Sequence, residues 1–244
     1  IADPALRSEM ERFYGSRGFR TFDRAYSRHY HTVNAIPDIL NFGAPGAPVR
    51  YRRAFRAGPT AWLGLLARQG YGIHIYQSEF GDFCSDNPHA SCTPYMEFSL
   101  EVMRDLPLPA SEKARKIAQK FATLSVLASG AAQAYDLFIH VTGLSRRGLP
   151  LLDLKRTGGA STLVAMAAFD ALTADLRQAR RGNAFFAHLL IPHRPFVAGP
   201  DCHILPPSAW RIGSIAARGA YHRQLRCVMR KLDAALAALA ASPA

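Results

Sequence analysis

The feature that most constrains the fold is the stretch Ala184-Phe185-Phe186-Ala187-His188-Leu189-Leu190-Ile191, closed at once by Pro192-His193-Arg194-Pro195. A short apolar run without polar alternation predicts a strand covered on both faces, as central parallel strands are when helices lie above and below them. The prolines on both sides of His193 and Arg194 stiffen the exit from that strand. They hold an imidazole and a guanidinium over the sheet edge.

The rest of the chain supplies matching layers. Leu6, Met10, Phe13 and Tyr14 predict a helix over 4–16, and Gly18–Phe22 reads as a short strand. From Thr32, the positions Val33, Ile36, Ile39 and Leu40 have helical spacing, with Pro37 tolerated in or near the first turn. Trp62, Leu65 and Leu66 give a helix over 59–69 that Gly70 stops, and Tyr71–Tyr76 reads as a strand. Residues 110–142 and 161–179 read as helical, and Tyr221, Leu225, Val228, Leu232, Leu236 and Leu239 line one face of a helix over 219–241. Strands alternating with helices predict an α/β fold with a largely parallel central sheet and helices on both faces. With 244 residues, 49% apolar and 20% charged, one domain over 1–244 is expected and global disorder is excluded.

The net charge of +12 comes from 25 arginines and 5 lysines against 18 acidic residues. Such an excess attracts anions, whether nucleic acid, anionic lipid or an anionic substrate. The arginines are nevertheless scattered, with no run longer than Arg52-Arg53 or Arg146-Arg147 and no basic stripe interleaved with aromatics, so no nucleic-acid partner is expected. The most apolar long stretch, Phe121–Ile139, carries Gln133 and Asp136 and many small residues, which favours a buried or amphipathic helix over a membrane span. The chain opens Ile1-Ala2-Asp3-Pro4 without a leader and stops at Ser242-Pro243-Ala244, so both ends read as cuts in a longer chain.

Four cysteines, Cys84, Cys92, Cys202 and Cys227, allow three pairings. Cys84 and Cys92 bracket a polar, turn-rich loop that closes easily into a ring, and local pairing of 84 with 92 and 202 with 227 suits an oxidising compartment. A zinc site from Cys84, His89 and Cys92 with Cys202 or His203 is an alternative, although the spacing matches no CxxC knuckle. Four unpaired buried thiols are a third reading.

In sheets of this kind ligands bind beyond the carboxyl ends of the strands. Two segments therefore stand out. His193 and Arg194 leave the buried strand there, and Thr32 opens a helix after the first strand at that same edge, so its hydroxyl is expected beside His193 while the free amides of the helix face an incoming anion. Thr32 also reads as a plain N-cap and His193 as a loop histidine bonded to backbone. His188, inside the apolar run, reads as a core histidine.

These segments resemble the alkaline phosphatase superfamily, in its sulfatase-like branch of phosphoglycerol and phosphoethanolamine transferases and lipoteichoic acid synthases. Thr32-Val33-Asn34-Ala35-Ile36-Pro37-Asp38-Ile39-Leu40, with Gly18-Phe19 and Ala25-Tyr26-Ser27 before it, resembles the nucleophile segment. Ala184–Pro195 resembles the strand and PHxP segment, and Tyr221-His222-Arg223-Gln224-Leu225 with Asp233 resembles the helix that follows. The resemblance implies an alkaline phosphatase-like sheet and a metal-dependent hydrolase or transferase acting on phosphate esters or phospho-headgroups. It makes Thr32 the nucleophile and a metal contact, and His193 and Arg194 substrate-binding residues. It implies a divalent metal (Mn, Mg, Zn or Ca) and an anionic phospho- or sulfo-ester substrate, lipid or glycan. It also places the family's other acidic metal ligand before Ile1 and its Asp-His-Gly after Ala244, so the chain corresponds to an incomplete catalytic domain, inactive when isolated. True sulfatases carry Cys- or Ser-x-Pro-x-Arg at the nucleophile, and Thr32-Val33-Asn34-Ala35-Ile36 departs from it, which weighs against sulfate ester hydrolysis. A non-catalytic relative that binds a glycan or lipid headgroup is the competing reading. The implied setting is the cell envelope, on the periplasmic or extracytoplasmic side with an anchor elsewhere in the whole protein, and there the local pairing of Cys84 with Cys92 and Cys202 with Cys227 is expected.

Overall fold

The computed structural model describes residues 3–22, 28–29, 31–43, 51–52, 54–56, 60–78, 81–95, 109–111, 113–114, 117–118, 160–210 and 217–243. Its helices are α1 (Pro4–Gly15), α2 (Thr32–Leu40), α3 (Ala61–Arg68), α4 (Ala160–Leu176) and α5 (Arg218–Ala240). Its strands are β1 (Tyr51–Arg52), β2 (Ala54–Arg56), β3 (Gly72–Ser78), β4 (Gly81–Asp82), β5 (Ala90–Tyr95) and β6 (Asn183–His188). Residues 110, 111, 113, 114, 117 and 118 are also helical, and the rest of the helix expected over 110–142 lies outside the described residues.

The main sheet has the order β5-β3-β6, and both pairings are parallel. The α/β character expected from the sequence is therefore present, with one correction. β3 occupies the centre, and among the described residues β6 pairs with β3 alone. The apolar run had signalled two covered faces, and that much holds. Phe186 joins Ile73, Ile75 and Phe83 beneath α3, where Trp62, Leu63 and Leu66 pack together with Ile36 and Leu40 of α2. Phe185 and Ala187 point the other way, with Tyr76, into the cluster formed by Phe169, Leu172 and Leu176 of α4 and Leu232, Ala235 and Ala238 of α5. Period-two alternation of the strand side chains divides the two sets. A residue as fully buried as Ile75 or Leu63 contributes about 1.5–3 kcal/mol over its exposed state. A second small sheet, β1-β2-β4, pairs β2 with β4 in parallel.

Local signals account for the helices. Asp3 caps α1 by accepting from the amides of Ala5 and Leu6, with Pro4 in the first turn. Those bonds hold its carboxyl below the ordinary aspartate range. Leu6 then packs with Met10 and Phe13 on Leu225 and Met229 of α5, and Arg226 pairs with Glu9 at 3.0 Å. Thr60 caps α3 through the amide of Leu63, and Gly70 at φ +77° makes the tight turn into β3. α4 is buried almost all round, which is why its apolar residues show no single stripe.

Two local expectations are corrected. Gly18–Phe22 forms no strand: Gly18 takes a positive φ, the Phe19 amide donates to the Tyr14 carbonyl, and the Phe19 ring meets Tyr14 edge-on at 5.7 Å. The aromatic closes the end of α1 rather than joining a sheet. Pro37 is the sixth residue of α2, beyond its first turn, and the helix continues through it for three more residues. Among the described residues no helix is long and apolar enough to cross a membrane.

Candidate functional site

At the carboxyl end of β6 the chain passes through cis peptide bonds at Ile191-Pro192 and Arg194-Pro195 and presents His193 and Arg194 to solvent. The loop is held by its backbone. Thr162, fully buried near the start of α4, directs its hydroxyl at the carbonyls of His193 and Pro195, each at 3.0 Å. Gln224, fully buried on α5, donates from Nε2 to the His193 carbonyl at 2.9 Å. Its Oε1 accepts from the amides of Val197 at 2.8 Å and Ala198 at 3.2 Å. Two helices thus grip one loop through buried amide and hydroxyl groups whose own hydrogen bonding the loop satisfies.

The grip leaves the loop side chains available. His193 Nδ1 lies 2.7 Å from the Arg194 carbonyl, and because a carbonyl only accepts, Nδ1 carries the proton of that bond. In the neutral ring Nε2 is then a lone-pair acceptor, and in the protonated ring a donor. No carboxylate among the described residues pairs with Arg194, whose guanidinium is exposed. Behind the loop, Phe83 packs edge-on to His188 with ring centroids 5.5 Å apart, and burial lowers the His188 pKa. His188 is a core residue, as its surroundings in the sequence had indicated.

The segment after the loop is pinned as well. Cys202 is bonded to Cys227 of α5 with Cα atoms 4.8 Å apart, and Cys84 to Cys92 at 6.0 Å. Both expected local pairings are present, and with no free cysteine in the chain the zinc and free-thiol readings are set aside. Next to this bond, exposed Asp201 accepts a hydrogen bond from His203, which holds its carboxyl below the usual range. A Cβ at Gly199 would overlap that imidazole, so a larger residue there would displace the exposed His203 ring.

Thr32 is exposed and is the first helical residue of α2, with His31 in the cap position. The N-cap reading therefore moves to its neighbour, while its place at the helix N-terminus stands. No strand precedes it among the described residues. The other end of α2 is the anchored one: Asn41 accepts from the Ala61 amide at 2.9 Å, and Arg28 and His29 lie 3.6 and 3.8 Å from Asp38. Thr32 lies about 12 Å along the helix from that end. Its helix packs on the α3 face of the sheet, whereas α4 and α5 on the opposite face hold His193. Among the described residues no hydrogen bond or ion pair joins Thr32 to His193, and the expected placement of the two side by side is not seen.

Sequence reasoning missed Thr162, Gln224 and Asp201. Gln224 had left a signal, since Tyr221, Gln224, Leu225 and Val228 share the spacing of one helix face, which puts an amide on the buried side. Among the described residues no three His, Cys, Asp or Glu side chains converge as a metal site would need. Comparison with protein-family models, curated proteins and solved structures returns no match.

Proposed function

We propose that this chain carries the substrate-binding edge of a sulfatase-like, alkaline phosphatase-type α/β domain that acts on phosphate esters or phospho-headgroups. One observation supports the reading most. The two most distinctive resembling segments, residues 192–195 and 221–225, are bonded to each other through Gln224 and the His193 carbonyl, which gives a reason for them to occur together. The mount fixes the position of an imidazole and an unpaired guanidinium at the edge where parallel sheets bind ligands. Arg194 offsets the charge of a phosphoryl group and orients two of its oxygens. His193 Nε2 holds a substrate oxygen, or protonates the departing alkoxide when it carries a proton.

In this proposal, which requires the start of α2 to come within reach of a phosphate held by Arg194, Thr32 Oγ forms a bond to phosphorus as the ester P–O bond breaks, its proton passing to solvent. Water or a second alcohol then displaces Thr32, giving hydrolysis or transfer. The amides at the start of α2 favour the phosphorylated threonine. The divalent metal implied by the resemblance (Mn, Mg, Zn or Ca) would supply charge neutralisation and activation of the hydroxyl. Among the described residues no donor set for it converges. The two cystines favour an extracytoplasmic setting.

The test is titration of glycerol phosphate and ethanolamine phosphate into the chain, and turnover of bis(4-nitrophenyl) phosphate by the whole protein with each of the four cations. Arg194→Ala should weaken phosphate-ester binding at least tenfold, about 1.4 kcal/mol. Thr32→Ala should abolish turnover and the phosphothreonine seen by mass spectrometry. Binding without turnover assigns the non-catalytic alternative, and turnover of 4-nitrophenyl sulfate instead assigns a sulfate ester hydrolase. Phosphate-ester binding that ignores Arg194→Ala refutes the site.

A further inference from the structure

A groove of about 600 Å³ runs along the face of β6 that meets α4 and α5; none of residues 192–195 lines it, and it is independent of the proposed chemistry. Its floor is the row Asn183, Phe185, Ala187 and Leu189. Leu172 and Leu176 of α4 form one wall, and Leu232, Leu236 and Leu239 of α5 form the other. Arg180 and Arg181 stand at the end where β6 begins. Both are exposed, and neither is paired with a carboxylate among the described residues. Four residues of extended chain separate Phe185 from Leu189, so the apolar floor is about 13 Å long.

We propose that this groove binds one linear anionic amphiphile, a medium-chain fatty acid, with its alkyl chain along β6 and its carboxylate against Arg180 and Arg181. Three features select that occupant. The volume lies within the range of small-molecule sites. Beyond Asn183 the floor and both walls are apolar and follow the line of β6, which suits an alkyl chain lying along the strand. Positive charge is confined to one end, which orients a molecule that is anionic at one end only. Leu239, 43% exposed, and the part-buried Leu236 and Leu232 supply apolar surface that the alkyl chain would remove from water.

The experiment is calorimetric titration of octanoate, decanoate and dodecanoate, each below its micelle concentration, into the chain with both disulfides intact. Affinity should rise about fourfold per added methylene, the fold-change that corresponds to about 0.8 kcal/mol of buried CH₂. Arg180→Ala with Arg181→Ala should weaken decanoate about tenfold and leave decanol unchanged. Leu239→Glu should abolish decanoate binding, whereas Leu239→Met should retain it, and the thermal transitions of all variants should match the parent. Affinity without chain-length dependence, equal loss of decanol and decanoate in the arginine variant, or binding only to anionic vesicles would each overturn the proposal. Binding of an extended apolar peptide in place of decanoate would overturn it too, and would make the groove a strand-docking edge.

Discussion

Replacing Gln224 with Met removes three hydrogen bonds while nearly preserving volume. Gln224 is fully buried, so its partners have no solvent to turn to: the Val197 and Ala198 amides, which donate to its Oε1, lie in residues 0% and 1% exposed. A buried group left without a partner costs roughly 1–3 kcal/mol, so two stranded donors cost about 2–6 kcal/mol. The third bond matters less, because the His193 carbonyl still receives the Thr162 hydroxyl. Against a typical stability of about 5–15 kcal/mol this is a severe loss. At a slope near 2 kcal/mol/M it moves the urea midpoint down by at least about 1 M. Thr162→Val is the internal control. It removes a single hydroxyl proton shared between two carbonyls, one of which keeps Gln224, and should cost about 1 kcal/mol. Equilibrium urea unfolding under oxidising conditions measures both variants, and hydrogen exchange at Val197 and Ala198 should accelerate in Gln224→Met alone. If the two substitutions prove equally mild, the loop is not held by this amide and the argument for a rigid mount fails.

Peptide mapping without reduction should recover Cys84 joined to Cys92 and Cys202 joined to Cys227, and reduction should lower stability by about 3 kcal/mol for the 25-residue separation. Stability should fall as pH drops below the ordinary histidine value of about 6.5. Burial lowers the His188 pKa, so the unfolded chain takes up that proton first and is favoured by it. His188→Gln should flatten this slope in urea midpoints measured across the range, and an unchanged slope would remove His188 as its source. Ile75→Ala, at a fully buried position beneath α3, should cost about 2–5 kcal/mol in the same assay.

What the sequence disclosed followed the physics of each signal. A run such as Ala184–Ile191 reports how many faces of a strand are covered, because faces are lined by side chains. Its neighbours along the sheet are set by backbone bonds, to which side-chain hydrophobicity is blind. The central strand is β3, whose alternation His74, Ile75, Tyr76, Gln77 looks less buried, because Tyr76 takes its hydroxyl to Asp175 and Gln77 accepts from the Phe83 amide. Polar groups satisfied inside the fold lower the apparent hydrophobicity of the strand that most needs to be buried. The PHRP exit and the cystines were legible because proline and cysteine restrict the chain wherever they occur. Thr162 and Gln224 were harder to see, since a polar side chain in a helix ordinarily faces water. The strand expected at Gly18–Phe22 failed because alternation over five residues carries no information about a partner strand.

Thr162 and Gln224 grasp His193 and Pro195 by their carbonyls, so their grip is indifferent to which side chains the loop displays, and the His193 ring adds one bond of its own, to the Arg194 carbonyl. The identity of Arg194 is thus decoupled from the stability of the domain, and replacing His193 removes a single exposed hydrogen bond. A library randomised at these two positions should yield folded proteins throughout, each offering a different pair of groups at the same place. In such a scaffold the groups displayed at the loop tip can be rewritten while the helices beneath it stay unaltered.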